Sequence, residues 1–573
     1  MACSFFENFS PKRTNVLESF FSSRGFNKYF PWVLLILGAL IRLWALDLKP
    51  PHFDEGINGW FADVVQEQGF YAYDPTNYHG PLFFYLLFLV QHFFGRNLWA
   101  LRMPSLLASI MMVWLALRFE SFLGRNAARW GALALALSPA MVFYGRYAIH
   151  ESWVAMSLMI LLLGLLGLGS HGDRRSLLLS LLGVTLLLLL KETLVIHLLS
   201  LMITTVLLLL GSWWYRSKKS SALNKKLIVE KEPFFSPLIT QQQWTYWDLG
   251  VGALISLLLL FLFYSGGFLY LRGFLNLCYA LPAWIHTGIH VGGHTKLSYQ
   301  LGPLNYYWLA LMLRYELPAL LGFGYALWLT LNYHVKLFSP DGTATYYSEN
   351  NFSSFHNYLS LYALGTFAGY SLIPYKTPWC IISIIWPLTL LFGVFLEKIR
   401  PITWRFILGF LVLGISFFLC LRLNFWHYVD FSEPYVYVQT SPEIKLLTEP
   451  LLLLAKKNPR YFQLRGQILL ESYFPLPWIL HDFKSFGYYS KSNMPKEYDA
   501  DIIVVELSRS AAIEKQLQGY YYRREFQLRD SMEKCVVFFK KKTFEDFFDH
   551  QNLPTPNADS INQRKSRAEH FIF

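Results

Sequence analysis

A chain of 573 residues that is 54% hydrophobic, with a mean hydropathy of +0.31, carries too little polar surface to be an ordinary soluble protein. The formal charge of +12 would suit a nucleic-acid binder, but Lys and Arg are dispersed in short loops between apolar runs, the distribution that orients a chain in a bilayer. Five cysteines, Cys3, Cys278, Cys380, Cys420 and Cys535, show neither CxxC nor metal-ligand spacing and read as structural.

Residues 1–30 are polar and charged, and no small-residue cleavage site follows the first apolar run, so the first helix is expected to stay as an anchor. Runs of spanning length lie near 31–46, 98–117, 127–145, 152–169, 176–190, 193–211, 248–270, 304–331, 357–374, 379–396 and 403–421, which predicts about eleven crossings. The run Leu82–Phe94 is shorter and is interrupted by Gln91 and His92. If it lies along the outer face, the loops holding Arg118, Arg125 and Arg129, then Arg174 and Arg175, then Lys218 and Lys219, then Lys398 and Arg400 all fall inside. The acidic stretch 48–97 and the polar breaks at 150–151, 191–192 and 375–376 then fall together outside.

Past Leu421 the hydropathy drops. The remaining 422–549 alternate strand-like and helical runs: Tyr435–Val438 strand, Glu443–Lys457 helix, Asp501–Leu507 buried strand, Ser508–Gly519 helix, then strands at Tyr520–Leu528 and Cys535–Phe539. The expected architecture is an α-helical polytopic membrane domain over 31–421 with a small extracytoplasmic α/β domain over 422–549. A polar tail, 550–573, is expected to be disordered. No Gly-rich phosphate loop is present, so chemistry outside the cytoplasm would need a donor that is already activated.

The residues that could carry chemistry are the charged ones these apolar runs tolerate. Asp54 and Glu55 follow a Pro50-Pro51 turn that stops the first helix. One carboxylate could take a proton from an acceptor hydroxyl while its neighbour orients the acceptor; alternatively Asp54 is the N-cap of an amphipathic helix over 56–68. His150 and Glu151 end the third crossing, with Arg146 shaped to grip phosphate oxygens or else snorkelling. Lys191 and Glu192 interrupt an apolar stretch, either as a bare turn or as charge beside a lipid phosphate. Tyr375 and Lys376, in Pro374-Tyr-Lys-Thr-Pro-Trp379, offer a sugar-stacking ring and a phosphate contact, with Trp379 suited to the interface belt. His286, His290 and His294 recur at helical spacing, but neighbouring glycines make a poor helix for a metal face.

Taken in order, Asp54-Glu55, Tyr78-His-Gly-Pro81, Gly145-Arg-Tyr-Ala-Ile-His-Glu151, Lys191-Glu192 and Tyr375-Lys-Thr-Pro-Trp379 resemble the GT-C superfamily of integral membrane glycosyltransferases. The likeness is to the branch of protein O-mannosyltransferases and aminoarabinose transferases and, within it, to prokaryotic flippase-activity-associated proteins. It covers 30–430 and extends to Tyr473-Phe-Pro-Leu-Pro-Trp478.

The resemblance implies an inverting transfer of a sugar from a polyprenyl-phosphate donor to an acceptor hydroxyl on a lipid, glycan or protein. The site would face the exterior of a prokaryotic cytoplasmic membrane. It implies Asp54 as base with Glu55 assisting; His79, Arg146, His150, Glu151, Lys191, Tyr375 and Lys376 would contact substrate. Many relatives have aspartate where this chain has His150-Glu151, so metal use does not carry over; a divalent cation, if used, would sit on Asp54 and Glu151. The competing reading is a lipid-linked sugar transporter without transferase activity. Mid-membrane polar groups and two matching halves would favour it, and the sequence has neither.

Overall fold

The computed structural model describes residues 23–77, 79–220, 242–290, 306–338 and 352–548. It divides into two compact units. One comprises residues up to Leu48 together with Phe61–Tyr437, the other Lys49–Trp60 with Val438 onward, so a twelve-residue piece of the first loop belongs with the C-terminal chain.

In the larger unit all of the eleven apolar runs are helical. Among the described residues, seven helices are long and apolar enough to cross a bilayer, eight if a bent pair counts as one span. Two runs are broken where the sequence suggests continuity. The run 304–331 is interrupted at Glu316, between helices Tyr307–Tyr315 and Leu317–Phe338. The run 127–145 forms helices Arg125–Leu137 and Pro139–Gly145, bent by 56°. Pro139 has no N–H to donate and Ser138 is extended, so the helical ladder stops there.

A helix broken within an apolar bundle exposes carbonyls on one side and N–H groups on the other. Both sets are met by charged side chains from distant segments. Arg42 of helix Arg24–Leu43 donates to the carbonyls of Leu135 (3.2 Å) and Ala136 (3.1 Å). Glu316 accepts from the Ala140 N–H (2.8 Å) and from the Ser138 hydroxyl (2.7 Å), while Ser138 caps the Met141 N–H. Helix Ile381–Lys398 is almost wholly buried, packed on Arg125–Leu137 and Leu317–Phe338. Leu82–Phe94 is a separate helix of 13 residues. At about 1.5 Å per residue it is too short to span a hydrocarbon core of roughly 30 Å.

The smaller unit holds a five-stranded sheet: β1 Gly466–Leu469, β2 Phe486–Tyr488, β3 Ile502–Glu506, β4 Tyr521–Phe526 and β5 Cys535–Lys540. The strand order is β2-β1-β3-β5-β4, with β2, β1 and β3 parallel and β5 antiparallel to both its neighbours. All five β3 residues are buried because both faces of the sheet are covered. Ile502 and Val504 join a core with Leu447, Leu451 and Phe544, whereas Ile503 and Val505 face Val536 and Phe538.

The strand expected at Tyr435–Val438 does not form. Those residues are irregular, and Tyr435 and Val436 are buried through their side chains, Tyr435 against Tyr315 and Tyr144. β-Propensity in such a run reports burial rather than pairing.

Candidate functional site

The acidic pair lies in the smaller unit. Helix Phe53–Gln68 starts earlier than its polarity suggests, so Asp54 and Glu55 occupy its first turn and neither is the N-cap. His52 takes that place: its Nδ1 accepts the Asp54 N–H (3.1 Å), and Glu55 Oε2 accepts the His52 N–H (2.8 Å). This is the reciprocal arrangement of a capping box, with imidazole in place of hydroxyl. It separates two residues the sequence treats alike. Glu55 is fully buried and turned back onto the backbone, while the Asp54 side chain is 30% exposed. The positive end of the helix favours a carboxylate there.

In the larger unit four of the expected residues meet. Gly80 makes this possible: its N–H donates to the Leu190 carbonyl (3.0 Å), and a Cβ on it would stand 2.8 Å from the Leu190 nitrogen. The loop therefore lies against the end of helix Arg174–Leu190, and His79 reaches Glu192, Nδ1 to Oε2 3.2 Å. Next to it Lys191 Nζ pairs with Glu151 Oε1 at 2.5 Å, and the His150 ring lies 4.8 Å from that of His79. Burial opposes the Lys191 charge, but the Glu151 carboxylate outweighs it and holds the ammonium protonated well above its ordinary range. Burial also works against the Glu192 charge; His79 and Lys191 more than offset it and leave that carboxyl below its ordinary value. His150 is pushed well below 6.5 by burial and by His79 and Lys191, so it is neutral. Buried His150 Nε2 and Glu192 Oε1 have no hydrogen-bond partner among the described residues.

The remaining candidates stand apart from this cluster. Arg146 is buried, donating to the carbonyls of Ala45 (2.5 Å) and Ile41 (3.4 Å), with its guanidinium 4.7 Å from the Phe425 ring. Burial and nearby Arg102 pull it down to about 10, still charged at neutral pH. Lys376 is buried and donates to the carbonyls of Ser371 (3.0 Å) and Ile373 behind helix Phe352–Leu372. Burial lowers its pKa, and among the described residues no carboxylate pairs with it. Tyr375 precedes it, partly buried, and the turn ends at Cys380, which lies within electrostatic range of Lys191 and Glu151. Trp379 lies edge-on to Tyr144 and Tyr437.

Three acidic contacts were not anticipated. Glu316 interrupts an apolar run, a signal legible in the sequence. Glu433, bound by Arg314, Arg422 and Tyr315, leaves no local signature, because its partners are about a hundred residues away or next to no motif. Asp63 is gripped by Arg96 through two bonds of 2.9 Å. No group of three or more His, Cys, Asp or Glu among the described residues is arranged to hold a metal. His294 and the His290 side chain lie outside those residues.

Residues 78–229 match the family model of dolichyl-phosphate-mannose-protein mannosyltransferases. The chain shares the fold of ArnT from Cupriavidus metallidurans bound to undecaprenyl phosphate, with a TM-score of 0.56 at 13% identity over 90% of this chain and 98% of that one. The apo state of the same protein matches with a TM-score of 0.53. No curated protein sequence matches the chain at a significant level. The architecture is the GT-C fold that the motifs led us to expect.

Proposed function

We propose that the chain transfers a sugar from a polyprenyl-phosphate donor to an acceptor hydroxyl at the outer face of a prokaryotic cytoplasmic membrane, with inversion. The observation that carries this is the match along 90% of the chain to a structure holding undecaprenyl phosphate. In the reaction the acceptor oxygen bonds to the anomeric carbon as the bond from that carbon to the phosphate oxygen breaks. The acceptor proton passes to Asp54, and the polyprenyl phosphate leaves with the electron pair, so no general acid is required.

Three features of the chain support these roles. Asp54 is the exposed member of the acidic pair, and Glu55 serves the reaction by holding the helix start. Lys376 and Arg146 are buried cations with no carboxylate paired to them among the described residues, and a buried charge of that kind calls for an anion such as the donor phosphate. Lys191 suits that task less well, because Glu151 already neutralises it. His150 Nε2 and Glu192 Oε1, without a hydrogen-bond partner among the described residues, form with His79 a polar wall fitted to hydroxyls of a headgroup, and Tyr375 offers a ring to a sugar face.

The test is transfer in membranes supplied with polyprenyl-phosphate sugars, the sugar being identified by mass spectrometry of glycans, lipids and glycoproteins from a deletion strain beside its parent. Asp54→Asn should lower turnover by about 10²–10⁴ with the protein still folded. Normal turnover would remove Asp54 as base. A deletion strain whose glycans, glycolipids and glycoproteins match those of its parent would remove the transferase itself.

A further inference from the structure

Glu192 and His150 both touch His79, and each ends in a polar atom that the surrounding chain leaves idle. Glu192 Oε2 is bound to His79 Nδ1 at 3.2 Å, while its Oε1 has no hydrogen-bond partner among the described residues. The His150 ring packs on those of His79 (4.8 Å between centroids) and Phe83 (4.5 Å), with Phe84 edge-on at 5.5 Å, and its Nε2 likewise has no partner there. Glu192 and His150 are 7% and 2% exposed, and the His79 side chain, at 25%, is the partly open member of the three. A buried polar atom without a partner costs about 1–3 kcal/mol, so two at one place point to a ligand that brings the missing partners. Lys191, next in the chain to Glu192, does not supply one, because Glu151 takes its ammonium at 2.5 Å.

The chemistry of the ligand follows from what each atom can bond. An ionised carboxylate only accepts, so Glu192 Oε1 needs a hydrogen donor. A sugar hydroxyl supplies one, and a neighbouring hydroxyl, which both donates and accepts, serves His150 Nε2 whichever ring nitrogen holds the proton. The ammonium of an amino sugar also donates. A carboxylate has no hydrogen to give, and it would enter a cluster that already holds two carboxylates against one lysine ammonium.

We propose that Glu192 is a specificity-determining residue for the sugar on the lipid-linked donor: its idle oxygen receives a hydroxyl, or the ammonium of an amino sugar, His150 binds the adjacent group, and the same carboxylate bars uronic acids. This rests on the reading of the chain as one that takes a polyprenyl-phosphate sugar, but its test is binding and not transfer.

The full-length protein in detergent is offered undecaprenyl phosphate in competition with its glucose, galactose or mannose conjugate, with the matching uronates, and with the glucosamine conjugate. Native mass spectrometry gives the ratio of bound species. The parent should prefer a hexose or the amino sugar over the uronates by about 10–100-fold, and the glucosamine arm tells hydroxyl from ammonium. Glu192→Gln keeps the shape and loses the charge, and should cut that ratio by about tenfold or more. Glu192→Asp keeps the charge and should still hold uronates off. His150→Phe should lower sugar binding relative to undecaprenyl phosphate by about tenfold without admitting uronates.

A parent that binds uronates as tightly as the other sugars overturns the proposal, and so does an unchanged ratio in Glu192→Gln. Should that variant fail to accumulate, unchanged sugar binding in His150→Phe overturns it instead. Discrimination without transfer would retire the transferase and leave this site standing. Transfer without discrimination does the reverse, so the two failures are distinguishable.

Discussion

Glu55 and Asp54 are neighbours with the same charge, and their environments give them different tasks. Glu55→Ala removes the acceptor for the His52 N–H and should cost about 0.5–2 kcal/mol, whereas Glu55→Gln keeps an amide oxygen there and should cost less. Thermal unfolding of the solubilised protein, compared between the two, checks this. The Glu151–Lys191 pair is a different case, since both partners are largely desolvated. Glu151→Gln leaves an ammonium buried without its counter-ion and should lose about 3–5 kcal/mol, and adding Lys191→Met should recover much of that loss.

His150 gives the pH dependence its sign. Its folded value is depressed below 6.5, so below that pH the unfolded chain binds a proton that the folded chain refuses, and stability falls as pH drops. Glu192, also depressed, adds a further loss on entering the carboxylate range. The unfolding midpoint should therefore fall between pH 6.5 and 5, and His150→Gln should flatten that decline while sparing the loss at lower pH.

At the scale of elements, the break at Ser138 is stabilised by residues far away in the chain. Arg42 meets the carbonyls that end one half-helix and Glu316 meets the N–H groups that begin the next. Glu316→Ala would leave the Ala140 N–H and the Ser138 hydroxyl buried and unsatisfied, at roughly 1–3 kcal/mol for each group. Unfolding should show that loss, and Glu316→Gln should show a smaller one because its amide oxygen still accepts. Apolar periodicity revealed both half-helices but not the bend, which depends on where the freed backbone groups find partners. The short strands β1 and β2 were illegible for a related reason: with four and three residues, they are set by their neighbours in the sheet and not by a pattern of their own.

For the whole molecule, orientation is the property still carried by loop charge alone. A reporter fused after Arg118 should be cytoplasmic and one fused after Leu421 should lie outside. Both reporters on one side would reverse the assignment of the outer site. The fold itself was legible because apolar runs of spanning length have few alternatives to helix in a bilayer, and because the polar interruptions fall at ordered positions along the chain.

Composition and hydropathy were enough to make this a helical membrane protein with a small α/β unit, since both follow from local preferences read residue by residue. They were also enough to single out Asp54, His150, Glu151 and Lys191, because charge is conspicuous against an apolar background. Only the folded chain decided which charges neutralise one another, which carboxylate of an adjacent pair caps a helix, and that residues 49–60 belong with chain nearly four hundred positions later. Those outcomes depend on contacts between segments remote in sequence, and close packing against Pro475 and Trp478 has no counterpart in any local pattern.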